Sequence, residues 1–222
     1  MQIEAASNIA DRFGHRRRNF VARFDLTSEW VSTMNWDLLV FLKAWARSPR
    51  KVGAVIPSSP ILAKAMAEQV ELIPGRLVVE LGAGTGAVTR ALVERGIRPQ
   101  DLIVIEMDPV FCSRLRQRFP QLQILNIDAT RLEPVLRRHH IDTVDTIVSS
   151  LPLLSLDRKS QNAILRQSFR LLGGHGAFIQ YTYGVGSPIH NRFYKGLGLS
   201  GQRISQIWRN MPPATIWRYR HK

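Results

Sequence analysis

The feature that most constrains this fold is a short apolar run that ends in a glycine-rich turn. Residues 77–81 are apolar except for Glu80, and glycine follows at positions 82, 84 and 86. Residues 87–95 then place apolar side chains at helical spacing, and Gly96 is a typical helix end. Glycines allow the backbone to turn tightly and a ligand to approach the main chain, while amide groups at the helix start remain available. The pattern predicts a ligand-binding turn at the carboxyl end of a buried strand.

The rest of the chain after Leu77 alternates short apolar runs with helical segments, which is typical of βαβ units. We predict strands at 77–81, 102–106, 123–127, 144–149 and 176–182, and helices at 87–95, 109–119 and 157–172. Residues 203–208 and 215–219 predict a terminal antiparallel hairpin at the sheet edge. The expected fold is therefore α/β and Rossmann-like, with a mostly parallel seven-stranded sheet.

The N-terminal part has a different character. Residues 1–28 are polar and contain three consecutive arginines, which predicts a basic arm. Residues 29–47 place six apolar side chains in one arc of a helix and two cations, Lys43 and Arg47, on the other face. Such a helix lies at a membrane surface or packs on the protein's own core. We assign residues 29–60 to an amphipathic membrane-surface and lid segment and 61–222 to the main domain.

Charge narrows the class of partner. The chain of 222 residues holds 31 Lys and Arg against 17 Asp and Glu, a net charge of +14, so either nucleic acid or anionic lipid fits as a partner. No run of about 18 predominantly apolar residues predicts a transmembrane helix, and no apolar core of a signal peptide occurs at the N-terminus. We expect a cytoplasmic protein that binds peripherally to the inner membrane face. One cysteine, Cys112, excludes an intramolecular disulfide and a cysteine-rich zinc site.

Two acidic residues follow the next strands in the positions that a nucleoside ligand requires. Glu106 stands 20 residues after Gly86, where a carboxylate can accept both hydroxyls of a ribose. Asp128 follows the third strand, where it can accept the amine of adenine while Met107 and Ile127 cover the ring; it could equally cap the next turn. Ligands of open α/β sheets gather at the strand ends. A dinucleotide is the competing ligand.

The glycine turn and the two acids together resemble the class I S-adenosylmethionine-dependent methyltransferases over roughly residues 78–183. The resemblance implies that S-adenosylmethionine is the cofactor and that Glu80 approaches its amino group through water. It implies cofactor contacts from Glu80, Gly82, Ala83, Gly84, Gly86, Glu106, Met107, Asp128, Ala129 and Ser149.

The segment after the fourth strand bears on the substrate. Amino-methyltransferases of adenine and cytosine carry Asn or Asp, two prolines and an aromatic residue there, whereas residues 149–154 here offer no amide and no stacking ring. This segment, with 45–49, 53–59 and 212–217, resembles the bacterial phospholipid N-methyltransferases. The resemblance implies stepwise methylation of phosphatidylethanolamine to phosphatidylcholine at an anionic membrane surface, without a metal and with nucleic acid disfavoured as a partner.

A lipid ammonium has a pKa near ~10.4, so it must lose its proton before it attacks a methyl group. Our candidates for the proton route are Tyr181, Tyr183 and His190. Candidates for lipid binding are Arg50, Lys51, Ser58, Ser59, Leu151 and Arg218, although the two serines could instead cap a helix that begins near Pro60. The rival functions are an RNA base (adenine N6) methyltransferase and a lipid- or RNA-binding protein without activity.

Overall fold

The computed structural model describes residues 59–183, 186–210 and 212–222. The predicted basic arm and amphipathic segment, with Arg50, Lys51 and Ser58, therefore lie outside the described residues. The division of the chain into segments 1–28, 29–60 and 61–222 stays a prediction.

The described chain alternates strands and helices. The strands are β1 (Val78–Leu81), β2 (Leu102–Glu106), β3 (Gln123–Asn126), β4 (Thr146–Ser149), β5 (Ala177–Thr182), β6 (Leu199–Ile207) and β7 (Ala214–His221). The helices are α1 (Pro60–Ala67), α2 (Ala87–Glu94), α3 (Pro109–Arg118), α4 (Leu132–Arg138), α5 (Arg158–Leu172) and α6 (Asn191–Gly196). Single 3₁₀ turns cover Pro99–Asp101, Ala129–Arg131 and Leu153–Ser155.

The strands form one sheet in the order β3-β2-β1-β4-β5-β7-β6, in which β1 to β5 are parallel and β7 is antiparallel to β5 and β6. The predicted mixed seven-stranded sheet with a terminal hairpin is confirmed. Because β1 and β4 lie centrally and are covered on both faces, all their residues are buried. The carboxyl ends of β1 to β5 meet at one side of the sheet, which we call the ligand edge.

Two apolar clusters cover the two faces of the sheet. One contains Leu62, Val88 and Leu115 from α1, α2 and α3, and the other contains Leu136 and Leu165 from α4 and α5. Alternate residues of each strand enter alternate clusters, as the pleat requires. This packing holds the ligand edge between two helical layers.

Local capping explains where the helices begin. Ser59 Oγ accepts a hydrogen bond from Leu62 N at 3.2 Å, so Ser59 caps α1, the alternative left open by the sequence. Asp157 caps α5 as predicted, accepting from Ser160 N at 2.9 Å. The hairpin is longer than expected, since β6 begins at Leu199 rather than Arg203 and β7 reaches His221. The short helices α4 and α6 were not predicted.

Candidate active site

The glycine turn connects β1 to α2 at the ligand edge. Gly82 has φ of +73°, Gly84 of +53° and Gly86 of +81°, values that glycine adopts without strain. Gly82 N donates to Ile105 O at 2.9 Å and so ties the turn to β2. A Cβ on Gly82 would lie 2.6 Å from Leu151 Cδ2. The turn therefore packs directly against the loop that follows β4, and glycine is required at position 82 for both conformation and space.

Glu106 connects the glycine turn to the start of α3. Its Oε2 accepts from Gly84 N at 2.7 Å and its Oε1 accepts from Asp108 N at 2.9 Å, and the residue is only 6% exposed. Each carboxylate oxygen keeps a free lone pair, because a carboxylate accepts about four hydrogen bonds. Glu106 is thus fixed by the backbone and retains the capacity to accept two hydroxyl groups.

Glu80 is a fully buried carboxyl group beneath the turn. Burial raises its pKa from 4.5 to about 8, the side chain and backbone of Thr89 act in the opposite direction, and the charge of Glu106 adds a small increase. Neither Glu80 oxygen reaches hydrogen-bond geometry with a protein donor in the described part of the chain. A buried acid without a full set of donors is suited to receive a cation from a ligand.

Asp128 and Asn126 organise the end of β3. Asp128 is exposed and accepts from Thr130 N at 2.8 Å, so it caps the 3₁₀ turn that begins at Ala129. Asn126 Nδ2 donates to Glu106 O at 3.0 Å and to Met107 O at 2.9 Å. The Met107 side chain is 65% exposed at the same edge. One Asp128 oxygen and the apolar Met107 side chain thus remain accessible beside Glu106, the acid predicted to bind a ribose.

The loop after β4 lies between β1 and β5. Ser149 is buried, and its Oγ accepts from Leu151 N at 3.4 Å. Ser150 N donates to Leu81 O at 2.8 Å, while the buried Ser150 hydroxyl has no partner among the described residues. Gln180 Nε2 donates to Leu151 O at 3.0 Å and to Tyr181 O at 2.8 Å. Gln180 therefore fixes this loop to β5, and the buried Ser150 hydroxyl lies beside the glycine turn without a partner among the described residues.

Sequence reasoning did not single out Ser150 or Gln180. Ser150 differs from the predicted Ser149 by one position, and strand alternation decides which of the two serines shares the face of Glu80. Gln180 is buried inside a strand, with its Oε1 also unpartnered within the described residues. A glutamine within a strand predicted to be buried was the signal in the sequence that could have identified Gln180 as a residue with a specific hydrogen-bonding role.

The two tyrosines of the predicted proton route lie close together. Their ring centroids are 5.4 Å apart, and Tyr181 is buried. Burial and the neighbouring Tyr181 raise the pKa of Tyr183 well above its ordinary value, although a hydrogen bond with Asn210 opposes this shift. The Tyr183 hydroxyl therefore stays protonated. His190 is exposed and caps α6, with Nδ1 accepting from Arg192 N at 3.3 Å.

Arg218 lies away from the strand ends. It pairs with Ile179 across β5 and β7, and its Nη2 donates to Gln69 O at 3.1 Å and Gln69 Oε1 at 3.0 Å. Burial lowers the Arg218 pKa. In this structure Arg218 joins the segment after α1 to the sheet.

The residues at the ligand edge fit S-adenosylmethionine. Glu80 offers a buried carboxyl group for the ammonium, Glu106 offers two acceptor oxygens for the ribose, and Asp128 offers an acceptor beside the exposed Met107. Within the described residues, no group of three or more His, Cys, Asp or Glu side chains could hold a metal ion. No helix in the same residues is long and apolar enough to cross a bilayer.

Comparison with known proteins places these features in a family. Residues 78–176 match the model of the methyltransferase domain. An ornithine lipid N-methyltransferase of Singulisphaera acidiphila is 30% identical over 184 residues, which cover 80% of this chain and 93% of that protein. The ribosomal RNA small subunit methyltransferase A of Malacoplasma penetrans is 29% identical over 103 residues, 46% of this chain and 36% of that protein.

A solved structure shows the same fold. The glycopeptide N-methyltransferase MtfA, complexed with S-adenosylmethionine, superposes with a TM-score of 0.56 at 12% identity, covering 76% of this chain and 96% of that one. The matched domain and the full-length relative agree on methyl transfer as the reaction class, and the fold and the residues at the ligand edge fit S-adenosylmethionine as the cofactor. The chain belongs to the class I S-adenosylmethionine-dependent methyltransferases.

Proposed function

We propose that this enzyme methylates the primary amine of a membrane lipid, with phosphatidylethanolamine as the acceptor and phosphatidylcholine as the final product. The observation that carries the proposal is the loop after β4. Ser149, Ser150 and Leu151 lead into Pro152 and Leu153, so the loop bears hydroxyl and aliphatic groups beside the glycine turn. A nucleobase needs a stacking ring and several acceptors for its weakly nucleophilic amine, and a neutral alkyl amine needs neither.

The extent of the similarity supports a lipid amine. The similarity to the ornithine lipid N-methyltransferase runs over 93% of that protein, whereas the ribosomal RNA methyltransferase is matched over 36% of its length. Ornithine lipid and phosphatidylethanolamine both present a primary amine at a membrane surface. The two acceptors therefore demand the same chemistry of the site and differ in the head group around the amine.

The chemistry needs positioning more than activation. A bound cofactor would supply an electrophilic methyl group on a sulfonium sulfur, with the demethylated thioether as leaving group, and the site's residues need only hold a deprotonated alkyl amine in line with it. Glu80, Glu106 and Asp128 would hold the cofactor, and the Ser150 hydroxyl would accept a hydrogen bond from the incoming amine. Because the Tyr183 pKa is raised, we assign the Tyr183 hydroxyl to hydrogen bonding rather than to removal of a proton from the amine. Tyr181 and His190 stay candidates for the proton route.

The charge of the chain supports a site of action at the cytoplasmic face of the membrane. The net charge of +14 favours an anionic surface, and residues 29–47 carry the pattern of a surface-lying amphipathic helix. We assign Arg50, Lys51 and Ser58 to the lipid head group, and propose that the enzyme is peripheral on the inner membrane. The other three candidates contact the protein itself: Ser59 caps α1 and Arg218 binds Gln69. Of the three, Leu151 is the one that packs against the glycine turn.

One rival function has support of its own. The same net charge suits RNA phosphates, and the relatives include ribosomal RNA methyltransferases. An adenine N6 methyltransferase would have to extrude a base and hold it against the loop after β4. The aliphatic side chains of Leu151 and Leu153 provide no ring for stacking.

The proposal is tested with purified full-length protein, S-adenosylmethionine and vesicles of phosphatidylethanolamine in phosphatidylglycerol. Mass spectrometry should find mono-, di- and trimethylated head groups, and a parallel sample with ornithine lipid measures acceptor preference. The Glu106→Ala variant controls for cofactor-dependent transfer. Methylated ornithine lipid without methylated phosphatidylethanolamine would correct the acceptor, and unmodified lipid in both samples would reject a lipid substrate.

A further inference from the structure

Two large apolar side chains stand exposed at the ligand edge. Trp208 is 71% exposed and Leu154 is 66% exposed, the largest exposed fractions among the big apolar residues in the described ranges. Single exposed apolar residues are ordinary on protein surfaces. These two are distinguished by their place in the sheet topology.

Both residues follow strands that end at the same edge. Leu154 lies five residues after Ser149, the last residue of β4. Trp208 directly follows Ile207, the last residue of β6, and Ile207 pairs with Ala214 at the start of β7. The next residue of β7, Thr215, pairs with Thr182 at the end of β5, so β6 ends at the same edge as β5. β4 and β6 are separated by β5 and β7, so the two strand ends are roughly 14 Å apart at about 4.8 Å per strand. The two side chains therefore lie at the same edge as the glycine turn, over the part of the sheet from β4 to β6, and the turn itself follows β1 on the other side of β4.

Cations accompany both apolar residues. Arg158 and Lys159 begin α5 shortly after Leu154, and Arg209 follows Trp208. All three are exposed and form no ion pair with any residue that the structure describes. Asp157 is the one acidic residue between Leu154 and Arg158. Among the residues that the structure describes, the ligand edge thus combines exposed apolar groups with three exposed cations that form no ion pair there.

The opposite edge of the sheet provides a contrast. Leu72 and Ile73 are 49% and 42% exposed just before β1. The two cations nearby face two acids, since Arg76 pairs with Glu71 at 3.8 Å and with Asp145 at 3.7 Å, and Arg220 pairs with Glu71 at 3.2 Å. The exposed pair Leu72 and Ile73 thus lies beside arginines that form ion pairs, whereas Leu154 and Trp208 lie beside cations without an ion pair among the described residues.

We propose that the ligand edge docks on an anionic bilayer, with Leu154 and Trp208 entering the head-group boundary and Arg158, Lys159 and Arg209 contacting lipid phosphates. This surface belongs to the methyltransferase domain and is additional to residues 29–47. Docking at this edge opens the glycine turn directly toward the membrane, so a lipid amine reaches the methyl group without leaving the bilayer. The inference rests on the proposed function only in taking lipid as the acceptor.

The test compares full-length wild type with the double variant Leu154→Ser/Trp208→Ser in sedimentation with phosphatidylethanolamine–phosphatidylglycerol vesicles. We expect at least roughly tenfold weaker binding, because a large apolar side chain loses its burial at each position. The matched control is Leu72→Ser/Ile73→Ser, which removes similar exposed side chains from the opposite edge and should bind as wild type. Both double variants should keep the wild-type thermal transition and cofactor affinity, since all four side chains are exposed.

A second arm changes charge alone. Arg209→Glu should weaken vesicle binding at low salt and lose that effect in high salt, because the attraction is screened. Equal vesicle binding by wild type and the Leu154/Trp208 double variant would overturn the docking surface, and so would loss of RNA binding without loss of vesicle binding. Methylation of a short-chain, monomeric phosphatidylethanolamine by wild type tests the proposed function separately, because that substrate requires no docking.

Discussion

The ionisation of Glu80 should make the stability of the cofactor-free protein depend on pH. Burial raises its pKa from 4.5 to about 8, so the folded protein holds a proton that the unfolded chain releases within this window. Stability therefore falls as pH rises from 4.5 toward 8. From about pH 6 to about pH 8 the loss is about 2 kcal/mol, since each unit below the folded pKa is worth about 1.4 kcal/mol. Glu80→Gln keeps the shape and removes the titration.

The assay is thermal or urea unfolding of wild type and Glu80→Gln across this pH range. Every other group titrates alike in the two proteins, so the difference between their slopes isolates Glu80. For a chain of this size, a change of about 2 kcal/mol corresponds to roughly 4 to 8 °C in Tm. The Tm of Glu80→Gln, measured relative to that of wild type, should rise by this amount as pH rises. Parallel curves would refute the reasoning, because they would mean that Glu80 is already ionised in the folded protein.

Three further predictions concern the cofactor. Affinity for S-adenosylmethionine should rise up to about tenfold per pH unit below pH 8 in wild type and stay flat in Glu80→Gln, as calorimetry can measure, because the ammonium pairs with the ionised carboxylate. Glu106→Ala should weaken the same binding roughly tenfold or more, since ribose hydroxyls lose their acceptor; unchanged affinity would remove Glu106 from the site. Gly82→Ala should lower both Tm and cofactor affinity, because its Cβ meets Leu151, whereas Gly75→Ala, with φ of +84° and open space, should lower Tm only.

The sequence sufficed for the parts of the fold that depend on short-range patterns. The β1 run, the glycine turn and Pro109 at the start of α3 follow from burial, positive φ and a fixed proline φ, which act over a few residues. The antiparallel pairing of the terminal hairpin was also predicted from two β-rich runs separated by Pro212 and Pro213. The start of β6 was predicted four residues too late, because Leu199 to Gln202 contain Gly201 and two polar residues and are held in the sheet by pairing with β7.

The site depends more on long-range contacts. The three acids could be placed from strand ends alone, since parallel strands bring them to one edge. The roles of Gln180 and Arg218 could not, because each is decided by a partner distant in sequence, Leu151 and Gln69. Arg218, which stands between Trp217 and Tyr219, was a candidate for lipid binding, yet its Nη2 donates to Gln69 within the protein.

The most direct measurement of the central claim is a competition for labelled methyl groups. Full-length protein and methyl-labelled S-adenosylmethionine are incubated with phosphatidylethanolamine vesicles and total RNA in one vessel, and the lipid and RNA fractions are then counted separately. The loop after β4 and the extent of similarity to a lipid N-methyltransferase predict label in the lipid fraction, in methylated phosphatidylethanolamine. Label in RNA, located on adenine, with unlabelled lipid would contradict the account and establish the base methyltransferase in its place.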